Sequence, residues 1–504
     1  MIAGVINTNV NALYALNSLT NTANKTNTLE QELSSGQSIN SPADNPAGYI
    51  AAQGFTTQIG GIEQAISNVN QAVSLVQTAG GAVTQQVNIL QQLRTIAAQA
   101  ANGINSPQQL QSLQQVVSQL QTQVTTISSQ SQFSGLNLLD GTFNAVQFQV
   151  GASVGQTIGL SIGSTAANQL GAYQTSGTGA LYTTTGDATG GVGDSTGHAF
   201  TISAAGAFTQ GAVGIAGSAG SATITAQATE SAKSVVADIN AATSKTNVSA
   251  IANTSVAFAV TTTGTFNLTL GNGDTVTPPV AGVNTGPLNT VNVSATVTAA
   301  TPAGLQGLVS AINAQTGTTG ITASADSSGN LILNQASGDN ITISSAANAS
   351  TGVLTAGGTA IGGATATSAT IQGVVTAQST QNFSLDETAG SIGLSATSTL
   401  QTLSSASVTT TSNANAALNT IDLALQQLEN VGAQLGAVQQ RLQATVSNLQ
   451  STDTNLTTAR SVVQDANIPQ VTTQLTQQEI LQQAGVSALA QSSSLQQSFL
   501  KLLQ

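Results

Sequence analysis

Between Ile59 and Leu90 the apolar residues fall at Ile59, Ile62, Ile66, Val69, Val73, Val76, Val83, Val87 and Leu90, at intervals that alternate between three and four. Gly80 takes the one position of this series that has no side chain. Such a pattern repeats about every 3.5 residues, which is the a/d seam of a coiled coil. Drawn as one helix, the seam is about 48 Å long at about 1.5 Å per residue. A stripe that narrow cannot be hidden by the helix that carries it. A second long helix has to lie along it, and the first question is which part of the chain supplies one.

Upstream, residues 1–35 carry Val5, Val10, Leu13, Leu16, Leu19, Leu29 and Leu33 at helical spacing, with only Lys25, Glu30 and Glu32 as charges. The stretch 34–48 gathers Gly, Ser, Asn and Asp around Pro42 and Pro46, which breaks the helix before it resumes near Tyr49. Downstream, the helix reaches a stop at Asn102-Gly103, and Ser106-Pro107 caps the next one. That helix holds a second seam, Leu110, Leu113, Val117, Leu120, Val124 and Ile127. After Phe133, Leu136, Leu138 and Leu139 the period drops to two: Val146, Phe148 and Val150 alternate, Gly151 to Gly155 turn, and Ile158, Leu160 and Ile162 alternate back. That is a β-hairpin.

Residues 173 to 405 change character, being rich in Gly, Ala, Ser and Thr with short β-branched runs such as Ser221–Ala226 and Asn292–Thr298. They contain a repeat. Val236, Ile239, Asn240, Thr243, Val248 and Ala250 align at constant offset with Val309, Ile312, Asn313, Thr316, Ile321 and Ala323, and each copy reads as a small α/β module. From about residue 411 the heptad returns with Leu418, Ile421, Leu425, Leu428, Leu435, Leu442, Leu449, Leu456 and Val463, and Gly432 fills one gap. After a break around Asn467–Pro469, a last helix carries Val471, Leu475, Leu481, Leu489, Leu495, Phe499 and Leu502.

Seams at both ends with β-rich material between them imply a chain that goes out and comes back. The expected fold is α+β and multidomain. N- and C-terminal helices form an antiparallel helical-bundle rod that includes the hairpin, and central β-rich insertion domains are displayed at its far end. Domain limits follow at 1–42, 43–172, 173–285, 286–405, 406–460 and 461–504. The packing and assembly seam is expected in the residues of Ile59–Leu90 already named, Leu110, Leu113, Val117 and Leu120, and Leu418, Ile421, Leu425, Leu428, Leu435, Leu442 and Leu449. Leu13, Leu16, Leu19, Leu475, Leu489, Leu495 and Phe499 are expected to drive association of the termini. Gly80, a gap in the stripe, is expected to mark a close helix approach.

Charged residues make up 5% of the 504, against about 25% in ordinary soluble proteins. Nineteen acids against seven bases give a net charge of −12, and no basic cluster exists to neutralise phosphates, so a nucleic-acid partner is not expected. The absence of Cys excludes thiolate and disulfide chemistry. No apolar run of about 18 residues is present, so no membrane insertion is expected. The N-terminus lacks a basic segment followed by a compact apolar core, so no cleavable signal peptide is expected. The single histidine, His198, cannot build a zinc site or a nucleophile–base pair by itself. Asp386-Glu387 reads as a solvated acid pair, and the turn Gly271–Asp274 lacks EF-hand spacing. No enzyme activity, cofactor or metal is expected. Surface and assembly remain.

The residues in hand resemble bacterial flagellin. The resemblance rests on INTNVNAL (6–13), LSSGQSINSPADNPAGYIAAQ (33–53), SLVQTAGGAV (74–83), LRTIAAQAANG (93–103), FSGLNLLDG (133–141) and the hairpin 148–162. At the other end it rests on 417–428, 435–443, 455–468 and 475–491. The two repeats resemble insertion modules of flagellin central regions. The resemblance implies an extracellular homopolymer, the flagellar filament used for swimming. Terminal helices would line its inner tube, the seam helices would form the next shell, and the centre would face outward. It also implies type III export of an unfolded chain, and as partners a filament cap, hook-associated junction proteins and an export chaperone. A hook–filament junction protein and a secreted surface adhesin are the competing readings.

There are departures from the family pattern. Gln92 and Thr95 flank Arg94, and Val116 replaces a common Glu, which removes much of the charged cluster that a vertebrate Toll-like receptor reads. Gln37 and Ser38 replace a usual Arg-Ile run, so a connector salt bridge is expected to be lost. With so few carboxylates, filaments are expected to tolerate acid.

Overall fold

The computed structural model describes residues 9–102, 105–177, 181–184, 211–226, 230–272, 289–326, 328–345, 350–356, 359–363, 367–387, 392 and 394–502. Three helices open the chain: α1 (Val10–Ser35), α2 (Pro46–Ala100) and α3 (Pro107–Gln130). Two short strands, β1 (Gln132–Phe133) and β2 (Leu136–Asn137), precede the hairpin of β3 (Val146–Gln149) and β4 (Thr157–Leu160). The central region begins with β5 (Gly171–Ser176), β6 (Leu181–Thr184), β7 (Gly211–Gly217), β8 (Gly220–Ala226), α4 (Ala232–Ala241), α5 (Thr243–Thr246) and β9 (Ser249–Thr262). It continues with β10 (Gly264–Asn272), β11 (Asn289–Val297), α6 (Pro302–Asn313), α7 (Thr316–Thr319), β12 (Ile321–Ala325) and β13 (Asn330–Gln335). Then come β14 (Ile341–Ser345), β15 (Ser350–Ala356), β16 (Thr359–Gly363), β17 (Thr367–Ile371), β18 (Val374–Ser379), β19 (Ser384–Asp386) and β20 (Thr399–Thr402). Two long helices, α8 (Thr411–Gln464) and α9 (Ile468–Leu502), close the chain. No described helix is long and apolar enough to cross a membrane.

Local chemistry sets the helix ends. Asn45 accepts a hydrogen bond from the Gly48 amide and Pro46 takes the first helical position, so α2 starts three residues ahead of the expected Tyr49. Ser106 and Gln109 form a reciprocal capping box at the start of α3. Gly36, with φ 71°, ends α1 in the left-handed conformation and donates to the Glu32 carbonyl.

The partner of α2 is α8, from the far end of the chain, and the two run together over most of their length; α3 packs against α2. Their shared core continues through Leu138, Leu139 and Phe143 into the hairpin residues Ile158, Leu160 and Ile162. α1 and α9 pair with each other beyond the rod.

The central region holds two further cores. One gathers Val213, Ile215, Val235, Ile239, Val375 and Leu385, and the other Phe258, Phe266, Leu268, Leu305, Ile312 and Ile343. Strand β9 serves both. Its residues 249–253 pair with β18, and residues 254–259 pair with β13. The cores therefore do not follow chain order. β10 precedes residue 286 yet pairs along its whole length with β11, while β18 and β19 return from far downstream to complete the first core. A boundary at 285/286 does not separate them, because strands are recruited by hydrogen bonding rather than by position in the sequence.

The repeat has a chemical meaning. Asn240 donates to the Ala250 carbonyl and accepts from its amide, and Asn313 does the same with Ala323. Thr243 donates to the Val248 carbonyl, and Thr316 to that of Ile321. Each copy thus clamps a helix end to the strand that follows, with the same two side chains.

Candidate assembly surface

Among the described residues no group of three or more His, Cys, Asp or Glu side chains converges. His198 and Asp274 lie outside the described residues. Asp386 sits on β19, and Glu387 accepts a hydrogen bond from the Leu394 amide. The surfaces that matter are those of the rod and the terminal pair.

On α2 the structure redraws the seam. Ile62, Val69, Val76, Val83 and Leu90 are buried, as is Ile59. Ile66, Val73 and Val87 are only half-buried and form an outer edge. The row on the opposite side of the buried series is Ala65, Ala72, Ala79, Gln86, Leu93 and Ala100, and all of it is buried. This second row is mostly alanine, so a reading weighted toward large aliphatic residues passes over it; small residues are what let helices approach closely. Gln86 is fully buried, and its amide donates to the carbonyls of Val124 on α3 and Thr165 after the hairpin. A strict 3–4 count of buried positions, with alanine included, would have found it.

The other seams behave alike. Leu110 and Val117 are buried on α3, with Leu113 and Leu120 half-buried. On α8, Ile421, Leu428, Leu435 and Leu442 are buried beside Ala414, Ala417 and Ala424, while Leu418, Leu425 and Leu449 are half-buried. Gly80 does not mark a close approach within the chain: a Cβ built there would meet nothing within 4 Å. It lies instead in an open notch between α2 and α8.

The fastenings of this rod are mostly uncharged. Gln121 donates to the carbonyls of Leu403 and Ala406, and Gln427 donates to that of Thr380 while accepting from the Gly171 amide. At the connector between rod and terminal pair, Gln464 donates to Gln37 Oε1, Ser38 N–H donates to the Gln464 carbonyl, and Ala466 N–H to that of Gly36. An amide pair thus holds the connector at Gln37. The ion pair of the rod is Arg94 with Asp422 across α2 and α8, at 2.6 Å and about half exposed. Asp44, in the same connector, accepts from the backbone amides of Ser41 and Asn40 and from the Ser41 hydroxyl, which holds its carboxyl below the ordinary range. Partial burial, then the nearby charge of Asp44, pushes Glu32 upward. Exposed Ser and Thr on the helices, such as Thr57, Ser74, Thr78 and Thr84, bond back to the carbonyl four residues earlier. The coat is polar without charge.

Among the described residues, most of the exposed large apolar side chains are on the terminal pair. Leu13 is 56% exposed, Leu16 50%, Ile480 61% and Leu481 47%. Tyr14 and Val486 are exposed beside them, while Leu19, Leu475 and Leu489 are half-buried between the helices. The side chains of Leu495 and Phe499 lie outside the described residues. Tyr14, Ile480 and Val486 were not singled out in the sequence, because they fall outside the heptad count.

Fold and surface together define a class: proteins whose two ends build one long helical rod, whose middle forms a β-rich head, and whose outermost helices keep apolar faces open. The bacterial flagellin N-terminal helical region matches residues 6–144, the flagellin C-terminal helical region matches 418–503, and the flagellin hook IN motif matches 265–337. The B-type flagellin of Pseudomonas aeruginosa is 39% identical over 171 residues, 34% of this chain and 35% of that protein. A flagellin of Xenorhabdus nematophila is 40% identical over 157 residues, 31% of this chain and 50% of the relative. The matched stretches thus span between a third and a half of these curated relatives. A solved structure described as FliC from Burkholderia pseudomallei shares 20% identity, with 73% of this chain and 99% of that one covered at a TM-score of 0.30. The chain belongs to the bacterial flagellin family.

Proposed function

We propose that this chain is a structural subunit that polymerises with copies of itself into the extracellular filament of a bacterial flagellum and displays residues 173–405 on the outside. The observation that carries this reading is the terminal pair. Two helices of 26 and 35 residues lie side by side with half of several leucine and isoleucine side chains still in water. One pair cannot close that surface on itself, and a ring of identical pairs can. The contact between copies is heterologous, so it propagates as a helix rather than closing as a dimer.

Secretion as an unfolded chain along the growing filament, and contacts with a cap, hook-associated junction proteins and an export chaperone, belong to the same proposal. The low count of charges in both terminal helices supports it, since these faces are built to be buried among like faces. Electron microscopy of purified protein under polymerising conditions tests the reading. Filaments are expected from the full chain and not from a chain lacking 1–35 or 470–504. Filaments that persist without those segments would remove the assembly role from the termini.

A further inference from the structure

The notch beside Gly80 has no occupant within the chain. It is an apolar hollow of about 400 Å³ between α2 and α8, with Val76, Val83, Val87, Leu428 and Leu435 among its walls. Glycines from both helices line it: Gly80 on one, Gly432 and Gly436 on the other. Glycine is the poorest helix former after proline, so three of them inside long helices need a reason. Close helix packing is not the reason here. A Cβ at Gly80 or Gly436 would meet nothing within 4 Å, and one at Gly432 would only touch Val83 at 3.9 Å. The space is kept open toward the outside.

The same chain carries a projection that suits it. At the tip of the β3–β4 hairpin, Val154 is fully exposed. The tip is braced rather than loose: Gln149 donates to the carbonyls of Gly151 and Ser153, and Ser153 N–H donates to Gln156 Oε1. Of the other exposed aliphatic side chains on the rod, Ile50, Val116 and Val462 lie along helices, and Leu136 lies on β2 and is only 54% exposed, so Val154 is the one that stands fully clear at a hairpin tip. A closed cavity of about 150 Å³ holds a benzene, so the hollow has room for a turn bearing one valine.

Charge and height point to a second copy as the source of that turn. The chain has a net charge of −12, yet α2 carries no charge between Glu63 and Arg94, and none occurs between Asp140 and Asp187 around the hairpin. The α8 wall of the hollow contributes one carboxylate, Glu429, and the hairpin brings no charge to meet it, so two acidic molecules can come together here without like-charge repulsion. The hairpin rests against its own α2 at Gly61, where an added Cβ would clash with Ala152. Gly61 and Gly80 are about 28 Å apart along the helix at about 1.5 Å per residue, so the tip cannot reach the hollow of its own chain. We infer that the α2–α8 hollow at Gly80 receives the Val154 hairpin tip of a neighbouring copy. Knob and hole on one rod at different heights make a contact that repeats with a stagger and stays open. This inference rests on the polymer reading above and names one of its contacts.

The chain contains no cysteine, so paired cysteines report on this contact alone. Gly80→Cys and Val154→Cys are combined in one chain, polymerised, oxidised and run on a non-reducing gel. A ladder of covalent oligomers longer than dimers is expected from the assembled double variant. None is expected from either single variant or from the dilute unassembled protein. Thr84→Cys with Val154→Cys serves as a second pair at the exposed rim, should the first fail to assemble. Gly80→Leu is expected to leave the melting of the monomer unchanged and to raise the critical concentration tenfold or more. Filaments that form without a ladder from either pair overturn the inference, as does a ladder from Leu136→Cys with Gly80→Cys in place of Val154→Cys. A wild-type chain that forms no filament at all overturns the polymer reading instead.

Discussion

Replacing Leu13 and Leu16 together by alanine separates assembly from folding. Leu13 is 56% exposed and Leu16 50% exposed in the isolated chain. Burying a leucine side chain completely stabilises by about 2 kcal/mol, and about half of that remains to be gained when a neighbour covers these positions. The double substitution therefore removes about 2 kcal/mol from each subunit's addition to a polymer, about 1 from each leucine. Since about 1.4 kcal/mol is a factor of ten in an equilibrium constant, the critical concentration should rise about twentyfold or more. Alanine keeps the helix, being the best helix former. Only Thr26 is buried on the whole of α1, so the rod and head have little to lose. Sedimentation of the polymer over a concentration series gives the critical concentration, and thermal unfolding of the unassembled chain gives the control. A variant that polymerises at the wild-type concentration would refute the assignment of these faces to assembly. A variant whose rod unfolds at a much lower temperature would show instead that the helix pair supports the fold.

Other substitutions probe the interior and the charges. Gln86→Ala leaves the carbonyls of Val124 and Thr165 without their donor in a buried site, which should cost about 2–3 kcal/mol in denaturant unfolding of the rod. Asn240→Ala and Asn313→Ala should each cost about 1–2 kcal/mol and speed amide exchange mainly in their own repeat; an equal effect of both on the same amides would contradict the two-core description. Arg94→Ala should change stability by less than about 1 kcal/mol, because the pair with Asp422 is half exposed. Acid should matter little until the aspartates of the turns titrate. Hydrogen bonds from Thr142 hold Asp140, and those from Asn330 hold Asp326, below the ordinary carboxylate value of 3.8, as Ser41 and Asn40 do for Asp44. A depressed folded value means that this stability is complete above 3.8 and is lost as the pH falls through the lower folded value. Burial raises Asp238, with the opposite sign: the folded state gains as that group protonates and loses as pH rises through its folded value. Melting temperatures that fall steeply between pH 7 and pH 5 would contradict this balance.

The rod could be read from the sequence because it obeys a period. Three heptad series, the proline-rich break before α2 and the Ser106-Pro107 cap of α3 placed α2, α3 and α8 within a few residues of where they lie. Which face of α2 is innermost could not be read from hydrophobicity, since the buried row of Ala65, Ala72 and Ala79 is chosen for size and Gln86 for its hydrogen bonds. Gly80 is ambiguous in the sequence for a related reason. A glycine in a helix signals that something comes near, but the sequence does not say whether it comes from inside or outside the chain. In the head, the repeat was visible because Asn240 and Asn313 recur. The sharing of β9 between two cores was not, because it depends on strands that are more than seventy residues apart in the chain, as with Phe258 and Leu331.

A coiled coil ordinarily chooses its partner and register with charges beside the seam, and this one has almost none to use. Its register has to be set by shape and by directed hydrogen bonds. Within the chain, Gln86 ties α2 to α3, Gln121 ties α3 to the turn before α8, and Gln427 ties α8 to the head, each through backbone carbonyls that a one-turn slip would carry out of the side-chain amide's reach. Carbonyl partners do not titrate and are not screened by salt, so a rod held this way keeps its register where ion pairs would weaken. The same logic extends to contacts between copies. An amide-coated surface with so few charges can select its neighbour by charge only weakly, which leaves steric features such as the Gly80 hollow and the Val154 tip to fix where each subunit sits.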